Sequence, residues 1–173
     1  LETGRNFYDS TPKGSWAPSD LIEGRDVLVL GSGPGVAAHR AALVEYIESV
    51  HPVVMAFNTD SVLDDGLVDL RIASHPFRLL SNASAHVNLP QPLVTPASML
   101  PDSVRDSLEG KELLDFGLAV RPDTFEFSDR YCILPTSLTV AYAMAIAASG
   151  RAGRVLLAGF DGYSSDDPRN VEV

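Results

Sequence analysis

The sequence is short of cysteine, of basic residues and of long apolar runs, and each shortage removes a class of function. Cys132 is its one cysteine, so no disulfide can close within the chain and no cysteine-based metal cluster can be built. This usage fits a reducing, cytoplasmic compartment. Thirteen Lys and Arg stand against twenty-three Asp and Glu, a formal net charge of −10. So acidic a surface argues against non-specific binding to nucleic acid or to an anionic membrane. An anionic small ligand would need backbone amides or a few placed cations to offset the global field. The longest apolar stretch lies within residues 138–148, well short of a membrane span. No basic n-region with an apolar h-region opens the chain, so no secretory signal is expected. The four histidines show no metal-ligand spacing such as His-x-x-x-His. There is no internal repeat and no low-complexity tract. The chain opens on Leu1 rather than Met and stops on Val171-Glu172-Val173, which reads as a fragment of a longer protein.

What is present is a chain of 173 residues, 45% of them hydrophobic, enough for one domain with a substantial core. Residues 1–24 are polar, with Pro12, Gly14, Pro18 and Gly24, and read as a linker or arm in which Trp16 docks on a body formed by residues 25–173. Asp26-Val27-Leu28-Val29-Leu30 is a strand buried on both faces, of the parallel-sheet type. Val36, Leu43, Ile47 and Val50 give residues 36–50 one apolar helical face that ends at His51-Pro52. Val53-Val54-Met55-Ala56-Phe57 is the next strand and residues 68–73 a third. A helix starts within residues 77–80, Leu93-Val94 is a short strand, and residues 102–108 form a short helix behind Pro101. Residues 113–120 read as a strand broken by Gly117. Residues 135–149 read as an apolar helix ended by Gly150, and Arg154-Val155-Leu156-Leu157-Ala158 as the last strand. Strands alternating with helices predict an α/β domain with a doubly wound, mainly parallel sheet and helices on both faces. Ligands of such sheets sit at the carboxyl ends of the strands.

The strongest local signal is the turn Gly31-Ser32-Gly33-Pro34-Gly35, between a strand and a helix. Glycines permit a tight turn and close approach of a phosphate to backbone amides, and Pro34 suits a first helical position. Val36 stands where the dinucleotide fingerprint needs its third glycine, and no Walker-type Lys follows. The alternative is a plain tight βα turn. Asn58 and Asp60 follow the second strand and suit a ribose or base, or ordinary turn chemistry. Ser74 and His75 follow the third; His75 is a candidate phosphate ligand or acid-base group, or a loop anchor. Asp161 and Tyr163 follow the last strand and suit a sugar or base. Asp166 and Asp167 are candidates for a divalent ion or a solvated loop pair. Ser137, at a helix start, offers a second anion contact or a cap. His39 and His51 read as structural or solvated, His86 carries little signal in irregular chain, and Cys132 reads as a small buried residue.

Two resemblances rest on these residues. The order of the glycine-proline turn, Asn58, Ser74-His75-Pro76, Ser137 and Gly159-Phe160-Asp161-Gly162-Tyr163 resembles bacterial CMP-sialic-acid-dependent sialyltransferases and the related pterin-diphosphokinase-like domains. That resemblance covers residues 26–165. It implies a Rossmann-like, sialyltransferase-like fold and nucleotide contacts at Gly31, Ser32, Gly33, Asn58, Ser137 and Tyr163. Over the whole length, Glu2-Thr3-Gly4-Arg5-Asn6-Phe7-Tyr8, the glycine turn, Leu114-Asp115-Phe116-Gly117 and Ala158-Gly159-Phe160-Asp161-Gly162-Tyr163 resemble the C-terminal extension of certain bacterial proteins. Those proteins open with an HMG-CoA-lyase-like, 4-hydroxy-2-oxovalerate-type aldolase barrel and tend to be associated with surface-polysaccharide biosynthesis.

The leading expectation is a domain that binds a CMP-like nucleotide or nucleotide sugar at Gly31, Ser32, Gly33, Pro34, Gly35, Asn58, Ser74, His75, Ser137, Asp161 and Tyr163. Its partner would be a covalently linked aldolase-like domain, and a homo-oligomer is compatible with it. The rival is a glycosyl- or pyrophosphoryl-transferase in its own right, with His75 and Asp161 as catalytic candidates. A third reading is a structural or assembly domain with a vestigial cleft.

Overall fold

The computed structural model describes residues 9–162. Its centre is a six-stranded, wholly parallel sheet of order β5-β4-β3-β2-β1-β9. The strands are β1 (Asp26–Leu30), β2 (Val53–Phe57), β3 (Leu70–Ile72), β4 (Leu93–Thr95), β5 (Leu113–Asp115) and β9 (Arg154–Ala158). From β1 to β5 each strand is laid beside its predecessor in one direction; β9 then returns to the free side of β1. The winding therefore reverses between β1 and β9. Helices cover both faces, and the doubly wound, Rossmann-like architecture expected from the sequence is the one present.

Alternation along the strands assigns the faces. Leu28, Leu30, Val54 and Ala56 pack with Val36 of α2 (Pro34–Ala38) and Ile47 of α3 (Arg40–Val50). Further along the same face, Ala73 and Leu93 pack with Leu79 of α4 (Pro76–Ser81), Ala83 of α5 (Ala83–Asn88) and Val104 of α6 (Asp102–Ser107). On the opposite face, Val27, Val29, Val53, Met55, Leu70, Ile72 and Val94 meet Ile22 of α1 (Ser19–Ile22) and α7 (Thr139–Ser149). A small sheet of order β6-β8-β7, made by β6 (Gly117–Val120), β7 (Glu126–Phe127) and β8 (Tyr131–Leu134), shares that second core.

Several sequence expectations are corrected. The helix expected over residues 36–50 is two helices, broken at His39 with φ −110° and ψ 19°. Val36 is pinned against Gly159 while Ile47 packs on the sheet, so the two halves answer to different contacts. Residues 113–120 are not one strand: the chain turns at Phe116, and β5 and β6 join different sheets. The third strand is confined to Leu70–Ile72, because Asp69 turns its carboxylate back onto the Val54 amide at 2.8 Å. The helix expected from residue 135 begins at Thr139, since Leu138 is extended at φ −61° and ψ 130°. Ser137 therefore stands outside that helix. Within the expected arm, Trp16 does dock against the core, but Ile22 is fully buried and Gly14 lies against the backbone of Asp115 and Arg130. Cys132 is buried in β8, and burial pushes its thiol up to about 12, which leaves no nucleophile at neutral pH.

His86 is also corrected. It lies in α5, fully buried, with neither ring nitrogen hydrogen-bonded among the described residues. Burial, with the nearby Lys111 and Arg71 cations, lowers its pKa to about 4. The folded protein thus holds the imidazole neutral where the unfolded chain takes a proton. Stability should fall as pH drops from about 6.5 toward 4 and stay level with respect to this group above and below that window. The cost is on the order of 3 kcal/mol. Urea denaturation of the wild type and His86→Leu at pH 7 and pH 4.5 should show the shallower pH dependence in the variant.

Candidate functional site

Two places on the carboxyl rim of the sheet need separate accounts. The first is the switch point between β1 and β9. The Gly31 amide continues the ladder to the Ala158 carbonyl at 2.8 Å, and the Gly33 amide donates to the Gly159 carbonyl at 2.9 Å. A Cβ on Gly33 would come within 2.6 Å of the Gly159 oxygen and 2.7 Å of an Asp161 carboxylate oxygen. One on Gly35 would meet the same carboxylate at 2.8 Å. Gly33 has an ordinary φ of −66°, so close packing and not backbone freedom demands glycine there. The Gly35 amide donates to Asp161 Oδ2 at 2.8 Å. The amide proposed from sequence as a phosphate ligand is thus already bonded to the protein's own carboxylate.

The second place lies one strand over, at the carboxyl ends of β1 and β2. A pocket of about 520 Å³ opens there. Leu30, Gly31 and Ser32 form one side, Phe57 and Asn58 the floor end of β2, and Asp60, Ser61 and Val62 a loop wall; Arg78 of α4 completes the lining. Its size and mixed lining suit a small polar molecule with an aromatic or apolar part. Asn58 sits at φ +51° with its amide bonded to the Ile72 carbonyl at 3.0 Å, a left-handed turn that asparagine tolerates and that redirects the chain over the rim. Phe160 reaches past the end of β1 to meet Phe57 edge-on, ring centroids 5.9 Å apart.

The loop wall is anchored from beneath by a buried arginine. Arg71 of β3 is fully buried, and its register partners Ala56 and Leu93 place it between the two apolar clusters of the helical face. Its Nη1 donates to the Asp60 carbonyl at 3.0 Å, Nη2 to Asp65 Oδ1 at 2.6 Å and Nε to Gln91 Oε1 at 3.3 Å. Gln91 in turn donates to the Asp65 carbonyl. A buried guanidinium is tolerated only when its donors are occupied, and here they hold residues 60–65 in place.

Of the residues singled out from sequence, Gly31, Ser32 and Asn58 line this pocket together with Asp60. Gly33 is buried at the switch point, and Gly35 faces Asp161 across a separate, shallower depression. Ser74 is buried and His75 is exposed with its ring near Phe77; neither lines the pocket. Ser137 is also absent from its lining. Tyr163, Asp166 and Asp167 lie outside the described residues. Among the described residues no group of three His, Cys, Asp or Glu side chains is placed to hold a metal, and no helix is long and apolar enough to cross a membrane. Sequence reading missed Arg78 and Arg71. For Arg71 a signal existed: a charge inside an apolar strand must be paired.

The glycine contacts give a direct expectation. Gly33→Ala should destabilise the fold by about 1–3 kcal/mol through overpacking, read as a lower urea midpoint. No protein-family model, no curated protein and no solved structure matches the chain.

Proposed function

We propose that this chain is a binding domain for a nucleotide or nucleotide sugar, held in the pocket at the carboxyl ends of β1 and β2. The observation that carries the reading is that pocket: about 520 Å³, on the ligand rim of a doubly wound sheet, with Ser32, Asn58, Asp60 and Ser61 supplying polar groups beside Phe57 and Val62. Phe57 and Val62 suit a base or sugar face. Asp60, an acceptor, suits sugar hydroxyls. The glycine turn contributes Gly31 and Ser32 to the wall.

The resemblance to CMP-sugar enzymes, carried by the glycine-proline turn and Asn58, favours a CMP-like ligand. The whole-length resemblance to the extension of aldolase-type proteins favours a role beside a lyase barrel in sugar or surface-polysaccharide metabolism. In that arrangement the domain presents an activated sugar and the barrel does the chemistry. Binding is the activity assigned to the pocket.

Isothermal calorimetry with CMP, CDP, UDP and a CMP-sugar tests the reading. At least one should bind the wild type with a dissociation constant in the micromolar to low millimolar range, roughly −4 to −8 kcal/mol. Val62→Trp, which fills the pocket from an exposed wall position, should abolish that binding and leave the melting temperature unchanged. Absence of any binding by the folded wild type would overturn the proposal.

A further inference from the structure

We infer that the phosphate of the pocket's ligand is held by Arg78 and not by the amides of Gly31, Gly33 and Gly35. The inference rests on the ligand reading above and assigns its anionic subsite. Arg78 is the one cation lining the pocket among the described residues. It lies within α4 (Pro76–Ser81), the short helix that follows the carboxyl end of β3 after residues 73–75. Arg25, Arg40, Arg71, Arg105, Arg151 and Arg154 each spend their guanidinium on a carbonyl or carboxylate; Arg121 and Arg130 do not among the described residues, but neither lines the pocket. The Arg78 guanidinium has no such partner among the described residues. In a chain of net charge −10, an uncommitted guanidinium offsets the surrounding negative field on its side of the pocket, while Asp60 lines another part of it. Its planar fork of donors matches phosphate oxygens.

The glycine amides of the turn are excluded by what already stands there: Gly31 and Gly33 donate to the Ala158 and Gly159 carbonyls. The Gly35 amide is bonded to Asp161 Oδ2 at 2.8 Å, and the space above Gly33 and Gly35 is filled by that carboxylate and by the Gly159 carbonyl. A phosphate entering at this point would face a carboxylate and a carbonyl oxygen. Within the pocket, Asp60 repels a second anion while accepting from hydroxyls. The chemistry selected is therefore one phosphate or diphosphate group at Arg78 and a hydroxylated sugar toward Asp60.

Calorimetry with CMP, cytidine and pyrophosphate on wild type, Arg78→Ala, Arg78→Lys and Asp161→Asn tests this. Arg78→Ala should weaken CMP about tenfold or more and leave cytidine unchanged. Arg78→Lys, keeping the charge without the fork, should fall between. Asp161→Asn should bind CMP as tightly as wild type or more so. Unaltered CMP affinity in Arg78→Ala, or a loss in Asp161→Asn equal to that in Arg78→Ala, would overturn the assignment. If the wild type binds pyrophosphate through Arg78 but neither CMP nor cytidine, the nucleotide reading fails and the Arg78 assignment stands. If the wild type binds none of the three, both fail. Melting temperatures of all variants, each altered at an exposed position, check that they are folded.

Discussion

The backbone-to-backbone contact between the end of β9 and the turn after β1 sets the rest of the structure. β9 returns to the sheet beside the first strand, and Arg154 bonds Asp26 across 128 residues of sequence at its beginning. At its end, Gly159 lies so close to Gly31 and Gly33 that no Cβ fits between them. Such an approach places the amides of the turn on protein acceptors, Ala158 and Gly159, and brings Asp161 onto Gly35. At the switch point of this sheet, where many α/β proteins open a crevice, the glycine amides are thereby taken up by the chain's own atoms, and a separate depression beside Gly35 and Asp161 remains. The open pocket lies one strand away, between the ends of β1 and β2.

A second constraint shapes that pocket from below. Arg71 divides the helical face of the sheet into two apolar clusters, and its guanidinium reaches out to the loop that forms the pocket wall. The charge is costly in such a place unless every donor is used. The arrangement links the interior to the site: the same bonds that make the buried charge tolerable hold Asp60 and its neighbours at the rim. His86 remains neutral chiefly because it is buried, with the Lys111 and Arg71 cations adding to the effect. The pocket wall is therefore already ordered by the core, an arrangement that lowers the entropic cost of binding for any molecule that enters.

Legibility followed the strength of the local signal. Asp26–Leu30, Val53–Phe57 and Arg154–Ala158 are continuous apolar runs between punctuating residues, and each is a strand of the parallel sheet. The small sheet was not legible. Glu126–Phe127 and Tyr131–Leu134 are too short to show a period, and their pairing depends on contacts with α7 and β6. The start of α7 was misplaced because Pro135, Thr136 and Ser137 carry good helix-start chemistry, yet the extended Leu138 keeps them outside it. Of the residues that line the pocket, Gly31, Ser32, Asn58 and Asp60 were singled out by their places after strands, but Arg78 was not, since one arginine on a short surface helix has no sequence signature.

The amino-acid sequence by itself determined the class of fold and the positions of its longest strands, because hydrophobic periodicity and glycine or proline punctuation act over a few residues. Only the tertiary structure decided what the glycines of the turn meet. Whether an amide next to glycine meets a ligand phosphate or a protein oxygen depends on which distant segment is laid against it. Here Gly159 and Asp161, more than a hundred residues further on, fill that place, and the polar groups left open to a ligand are those around Asn58 and Arg78.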